Sequence, residues 1–163
     1  MIANSMTKVL SGIEMGNMIS DAIPGSVLDS NETDVWIGKD DLLRVSRYLR
    51  DEKQTDFSFL TSITAIDYIE YFELVYHLLS MRRNSSLIIK SRCYGRDEEL
   101  SMPSLVEVWK GADYQEREVW DLMGIRFVDH RNLKRILLWE GFDGHPLRKD
   151  YLGQDEVTED YRE

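Results

Sequence analysis

Two adjoining stretches, Tyr71 to Leu79 and Leu87 to Tyr94, limit what this chain can fold into more than any other feature. In the first, Phe72, Leu74, Tyr76 and Leu78 alternate with positions that include Glu73 and His77. Successive strand side chains point to opposite faces, so this spacing predicts a strand with one apolar face. The second stretch alternates more loosely, and Arg82-Arg83-Asn84-Ser85 between them has the polarity of a hairpin turn. An antiparallel pair follows. One of its faces is packed, and the other is solvated or covered by helices.

Phe57 to Tyr68 leads into a further strand through the β-branched Ile63, Thr64 and Ile66. Val27-Leu28 and Val35-Trp36-Ile37 read as short strands, and Ile23-Pro24-Gly25 as a turn. Helical signals bracket this region. Met1 to about Ser20 reads as a weak helix with Val9 and Ile13 on one side, its propensity lowered by Gly12 and Gly16. Asp40 is placed to cap a helix over Asp41 to Arg50, with Leu42, Val45 and Leu49 on one face. Arg44, Arg47 and Arg50 form its solvated face. Pro103 and Ser104 open another helical piece, with Ser104 and Glu107 at capping-box spacing. Helices on both sides of a run of strands give an α+β fold: N-terminal helices flanking a mixed or antiparallel sheet.

From Ala112 onward, charged, aromatic and glycine residues crowd together more densely than core packing requires. Asp113 can cap a short helix, with Glu116 as its capping-box partner. Gln115, Val119, Leu122 and Met123 make one narrow apolar stripe, and Glu116, Arg117, Glu118 and Asp121 project from the rest of the circumference. Gly124 stands where a helix ends in a left-handed residue. Beyond it, Gly141, Gly144 and Pro146 break any helix. The chain therefore divides into an α+β domain over 1–125, an extended arm over 126–152, and an acidic tail over 153–163 of disordered composition. The arm has apolar and aromatic residues without a period, which calls for a surface to lie on.

The formal net charge of −10 excludes nucleic acid and an anionic membrane surface as partners. No apolar run approaches the roughly 20 residues that span a bilayer, and no signal segment opens the chain, so a soluble cytoplasmic protein is expected. Cys93 is the single cysteine, which rules out an internal disulfide or a four-thiolate iron–sulfur cluster. His77, His130 and His145 lack the spacing of a helical ligand pair, so no metal site is expected. Glu118 and Asp121, three apart, share a helical face and with His145 form the one candidate acid–base grouping. Arg117, however, is an available ion partner for Asp121. No phosphate loop, dinucleotide fingerprint or nucleophile elbow is present. These residues describe a binding subunit with no catalytic, cofactor or metal residues of its own.

Glu116-Arg117-Glu118, Asp121-Leu122-Met123-Gly124-Ile125, Arg135-Ile136-Leu137 and Gly144-His145-Pro146-Leu147-Arg148-Lys149-Asp150 resemble, in fixed order, the signature of one family. It is the C-subunit family of respiratory complex I, the NADH:quinone oxidoreductase. Thr61 to Tyr68, Tyr76 to Ser80, Pro103-Ser104-Leu105 and Trp109 extend the likeness upstream, so that it runs from about Trp36 to Leu152. One departure is Asp129-His130-Arg131, where the family usually has Gly-His-Pro. The resemblance implies a non-catalytic, hydrophilic-arm subunit on the cytoplasmic side of the cell membrane. Its partners would be the D-type subunit, which forms the quinone pocket, and iron–sulfur subunits. FMN, iron–sulfur clusters, NADH and quinone would belong to the complex and not to this chain. It further implies a partner interface of Glu116, Arg117, Glu118, Asp121, Gly124, Arg135, Gly144, His145, Pro146, Arg148, Lys149 and Asp150. Membrane-bound hydrogenases and deazaflavin- or ferredoxin-dependent relatives of complex I carry an equivalent subunit, so the electron donor stays open.

Overall fold

The computed structural model describes residues 6–97 and 100–153. The expected hairpin is its centre: β5 (Tyr71–Ser80) and β6 (Ser85–Tyr94) pair antiparallel along their whole length, from Tyr71 opposite Tyr94 to Ser80 opposite Ser85. The turn between them closes with Asn84 in the left-handed region at φ 47°. β4 (Phe59–Asp67) pairs antiparallel with the outer side of β5. On the other side, β3 (Asp34–Ile37) and the two-residue β1 (Lys8–Val9) both run parallel to β6, and β2 (Val27–Ser30) finishes the sheet against β3. The order is β2-β3-β6-β5-β4, with β1 beside β6 below β3, and the α+β class with a mixed sheet stands.

One sheet face carries the core. Phe72, Leu74, Tyr76 and Leu78 of β5 lie beside Leu87 and Ile89 of β6 and Val35 and Ile37 of β3, all sealed from solvent. Helix α2 (Leu42–Asp51) adds Leu42, Val45 and Leu49 to the same core, as its spacing predicts. Two expectations about α2 change. Asp40 lies in a 3-10 turn over Lys39–Asp41 and caps nothing, and the helix starts from Asp41 without a side-chain cap. Its arginines are also not simply solvated: Arg47 pairs with Glu107 at 2.6 Å, and Arg50 donates to the Glu107 and Val108 carbonyls. The opposite sheet face likewise holds a covered carboxylate. Glu73 is 3% exposed because the Trp36 indole N–H and Arg92 both donate to it.

The first helix, α1 (Gly12–Ala22), begins later than its sequence suggests, and Ser11 caps it by accepting the Glu14 N–H. Residues 1–5 of the expected N-terminal helix lie outside the described residues. Gly12 is required by packing rather than being a weakness of the helix: a Cβ there would stand 2.5 Å from the Asn31 and Asp34 carbonyl oxygens. Pro103 and Ser104 open no helix. Ser101–Pro103 is strand β7, paired parallel with β8 (Arg126–Val128), and a tight turn follows in which the Val108 and Trp109 amides donate to the Leu105 carbonyl. Between β7 and β8 runs α3 (Ala112–Met123), packed on β4.

Replacing Gly12 by alanine forces backbone apart where the start of α1 meets the β2–β3 turn, because neither neighbouring carbonyl is a movable side-chain end. Gly12→Ala is expected to lower stability by about 2–3 kcal/mol in urea unfolding. An unchanged midpoint would show that the junction yields freely.

Candidate functional site

Helix α3 opens without a capping side chain: Gly111 is at the cap and Asp113 is inside the first turn. Asp113 and Glu116 therefore form no capping box. The helix ends as expected at Gly124, whose φ of 75° is the left-handed conformation that glycine adopts without steric cost. Its charged face is not turned to solvent. Glu116 and Asp121 are both 0% exposed and Arg117 is 8%, while Glu118 alone of the four stays exposed. The apolar stripe packs inward through Val119 and Met123, and the arm closes over the other side. A count of apolar residues along one helix gives no sign of a second covering layer from distant sequence.

Three buried charges play different parts. The two Glu116 oxygens accept the Ser104 hydroxyl at 2.7 Å and the Leu105 N–H at 2.6 Å, joining α3 to the end of β7. Burial pushes its carboxyl up and these donors pull it back, leaving it at about 7. Asp121 Oδ2 accepts three consecutive amides, Ile136 at 3.0 Å, Leu137 at 2.8 Å and Leu138 at 2.9 Å, and Oδ1 takes Arg135 at 2.7 Å. Burial would raise this carboxyl, but the three amides and the guanidinium outweigh it and hold it at about 2. Arg117 does not pair with Asp121. It donates to the Lys134 and Arg135 carbonyls at 3.2 and 3.1 Å.

The rest of the arm is fastened by the same residues that carry the motif. Arg135 reaches the Phe142 and Gly144 carbonyls, and the His145 ring bonds the Asp121 carbonyl through Nδ1 at 2.9 Å. That ring lies so close to Gly124 that a Cβ there would stand 2.6 Å from it. Gly144, at φ 83°, faces Tyr151 in the same way. Beyond the half-buried Pro146, the Leu147 amide donates to the Leu122 carbonyl, and the Lys149 amide to Asp67 Oδ2. Arg96 binds Asp67 and Asp150 together, and Arg148 holds Asp150 and the Arg96 carbonyl. Arg117, Asp121, Gly124, Arg135, Gly144, His145, Arg148, Lys149 and Asp150 of the motif therefore tie the arm to its own domain, whereas Glu116 joins α3 to the β7 end and Glu118 stays exposed. Beyond β8, the arm, expected to be extended and to find its contacts elsewhere, is a string of turns bound to its own domain.

Of the candidate acid–base grouping, Glu118 is exposed, and His145 meets Asp121 at its backbone carbonyl. Asp121 has its oxygens committed and its carboxyl held low, which makes it a poor base, and His145 Nδ1 is committed to a backbone carbonyl. Cys93 is buried, and burial raises its thiol to about 11. Among the described residues no three His, Cys, Asp or Glu side chains gather as a metal site. His130 bonds the Asp113 carbonyl and accepts the Asn132 amide. Asp129 before it sits at φ 66°, a left-handed conformation that Asp and Asn visit more readily than other side chains.

Sequence reasoning named Leu137 only within the Arg135-Ile136-Leu137 motif and left both it and Trp139 out of the interface, yet the network holds them out to solvent at 60% and 62% exposure. Trp139 meets Phe142 edge-on at 4.7 Å, and Phe142 stacks on Tyr151, so the display is braced from behind. A groove of about 560 Å³ beside them is lined by Trp120, Leu133, Leu138 and Gly141, with Lys134 and Glu140 among its charged lining residues. The signal available was the run Ile136-Leu137-Leu138-Trp139 inside a segment with no helical or strand period.

Residues 35–157 match the family described as the 30 kDa subunit of respiratory-chain NADH dehydrogenase. The chain belongs to that family. The C-type subunit of the NADH-quinone oxidoreductase of Roseiflexus sp. (strain RS-1) is 41% identical over 145 residues, 86% of this chain and 82% of the relative. The same subunit of Maricaulis maris (strain MCS10) is 40% identical over 161 residues, 96% of this chain and 78% of the relative. Among solved structures, a chain of the membrane-bound sulfane sulfur reductase, an archaeal respiratory membrane complex, superposes with TM-score 0.66 and 26% identity, covering 85% of this chain and 84% of that one. The trypsin-resistant fragment of Nqo5 superposes with TM-score 0.54 and 26% identity, covering 74% and 98%. The resemblance carried by the α3 and arm motifs is correct, and this 30 kDa-family chain is homologous to one component of a multi-subunit respiratory complex. No helix among the described residues is long and apolar enough to cross a membrane.

Asp121→Asn removes the charge that holds Arg135 and replaces one acceptor oxygen by a donor that faces either the backbone amides or the Arg135 guanidinium. The expected loss is about 3 kcal/mol in chemical unfolding. The Ile136 to Leu138 amides should exchange with deuterium far faster than in the parent. Because its folded value lies below that of an ordinary carboxyl, the Asp121 contribution is complete above the usual carboxylate range and is lost as pH falls through about 2.

Proposed function

We propose that this chain is a non-catalytic subunit in the hydrophilic arm of a proton-pumping NADH:quinone oxidoreductase, on the cytoplasmic side of the cell membrane. There it scaffolds the quinone-pocket and iron–sulfur subunits. FMN, the iron–sulfur clusters, NADH and quinone belong to those other subunits. Membership of the 30 kDa family supports the assignment to the complex. The observation that carries the scaffolding role is the arm, which is braced from within and shows Leu137 and Trp139 to solvent. Large apolar side chains fixed on a rigid base lose little freedom on binding, which makes them effective interface anchors.

The partner interface then shifts in meaning for the motif residues. Glu116, Arg117, Asp121, Gly124, Arg135, Gly144, His145, Pro146, Arg148, Lys149 and Asp150 build the base, and Leu137, Trp139 and the exposed Glu118 are the groups offered outward. The likeness to a chain of the sulfane sulfur reductase favours one second reading, the same structural role in a relative of complex I with another electron donor.

Affinity purification of the chain from its own cells should recover the quinone-pocket and iron–sulfur subunits. Presence of the NADH-binding flavoprotein in that set selects the first reading, and its absence the second. Recovery of the folded chain alone, from gently solubilised membranes, would overturn both. Leu137→Ala with Trp139→Ala should weaken partner recovery by roughly 30-fold, about 2 kcal/mol, with the thermal midpoint of the isolated chain unchanged.

A further inference from the structure

Glu116 differs from every other buried carboxylate of the sheet and arm. Asp121 has Arg135, Asp67 has Arg96, and Glu73 has Arg92 with Lys90 beyond it. Among the described residues Glu116, fully buried, bonds two neutral donors, the Ser104 hydroxyl and the Leu105 amide, and no cation. The titratable groups around it do not replace a cation. Asp113 on its own helix disfavours a second negative charge, and the Tyr76 phenol on β5, held protonated by its burial with Glu116 and Cys93 nearby, brings no positive charge. His130 is spent on the Asp113 carbonyl, and from α2 Arg47 and Arg50 are spent on Glu107 and the Glu107 and Val108 carbonyls. The Tyr76 hydroxyl is itself buried with no hydrogen-bond partner among the described residues.

We propose that Glu116 is a proton-operated joint between α3 and the β7 end: neutral, it closes the joint, and ionised, it loosens it. In the neutral form the carboxyl O–H donates to Ser104 Oγ, already in place at 2.7 Å, and the carbonyl oxygen accepts the Leu105 amide. Ser104 Oγ also accepts the Val106 amide, so in the closed form it takes two donors and its own O–H turns away from Glu116. When the O–H bond breaks and the proton leaves to solvent, a charge remains buried without a counter-ion. Opening of the turn after Ser104 relieves it by admitting water. The same helix carries the arm through Arg117 and Asp121, so the joint sets how firmly Leu137 and Trp139 are held. A carboxyl whose folded value lies above its ordinary one contributes most below that ordinary range, and its contribution is lost as pH rises through about 7.

The test is urea unfolding of the full chain from about pH 5 to about pH 8.5, beside Glu116→Gln. The parent should lose roughly 100-fold in its folding equilibrium across that range, and the variant should lack this decline. Infrared difference spectra of the parent should show a protonated buried carboxyl at the acid end that vanishes at the alkaline end and is missing in the variant. Amides of Val106 to Trp109, corrected for intrinsic rates, should exchange faster at alkaline pH only in the parent. Parallel stability curves, or a parent carboxyl already ionised at about pH 5, would overturn the proposal. If the variant does not fold, the parent's infrared titration decides alone.

Discussion

A single oxygen, Asp121 Oδ2, accepts three consecutive backbone amides, and the shape of the whole arm depends on it. Three N–H groups in a row can point at one atom only if the backbone curls around it, so the carboxylate dictates the turn at Ile136 to Leu138. Arg135 neutralises the charge from the next residue back and, through its other nitrogen, fixes the Phe142 and Gly144 carbonyls. Arg117, one turn earlier on the helix, holds the preceding carbonyls. A segment with no helix or strand thereby satisfies its backbone groups on side chains of α3.

Such buried charges are a weak source of net stability, because removing them from water offsets most of the attraction. Their value here is geometric. A purely apolar contact between α3 and the arm would tolerate sliding, whereas a guanidinium on two carbonyls and a carboxylate on three amides permit one register. That register orients Leu137 and Trp139, and for a subunit whose role is to join others, a fixed outward display matters more than a deep core. Gly124 and Gly144 serve the same register by allowing His145 and Tyr151 to close against bare backbone.

Helix α3 thus has two clients. Asp121 and Arg117 answer to the arm, and Glu116 answers to the Ser104 end of β7 without any cation. The Asp121 carboxyl is held far below the usual range and Glu116 well above it, although one helix carries both. The difference lies in what each faces: one has charge and three aligned amides, the other two neutral donors and a buried phenol. On that basis neutral pH leaves the Asp121 contact itself unchanged and reaches the arm only through the β7 contact of the same helix.

Sequence alone determined the hairpin, the buried face of α2, the stop at Gly124 and the family, because each is written in local period or in a motif of fixed order. It also marked the residues of the α3–arm network, though not what they touch. Only the tertiary structure decided that β3 and β1 lie parallel to β6, that Gly12 is needed for close approach, and that Ser104 serves Glu116 instead of a helix of its own. It also decided that Arg117 leaves Asp121 to Arg135, and that the charged side of α3 faces inward. The physical reason is range. Periodicity reports which residues share a face, whereas burial of that face depends on a segment of chain beyond the helix that only folding brings over it.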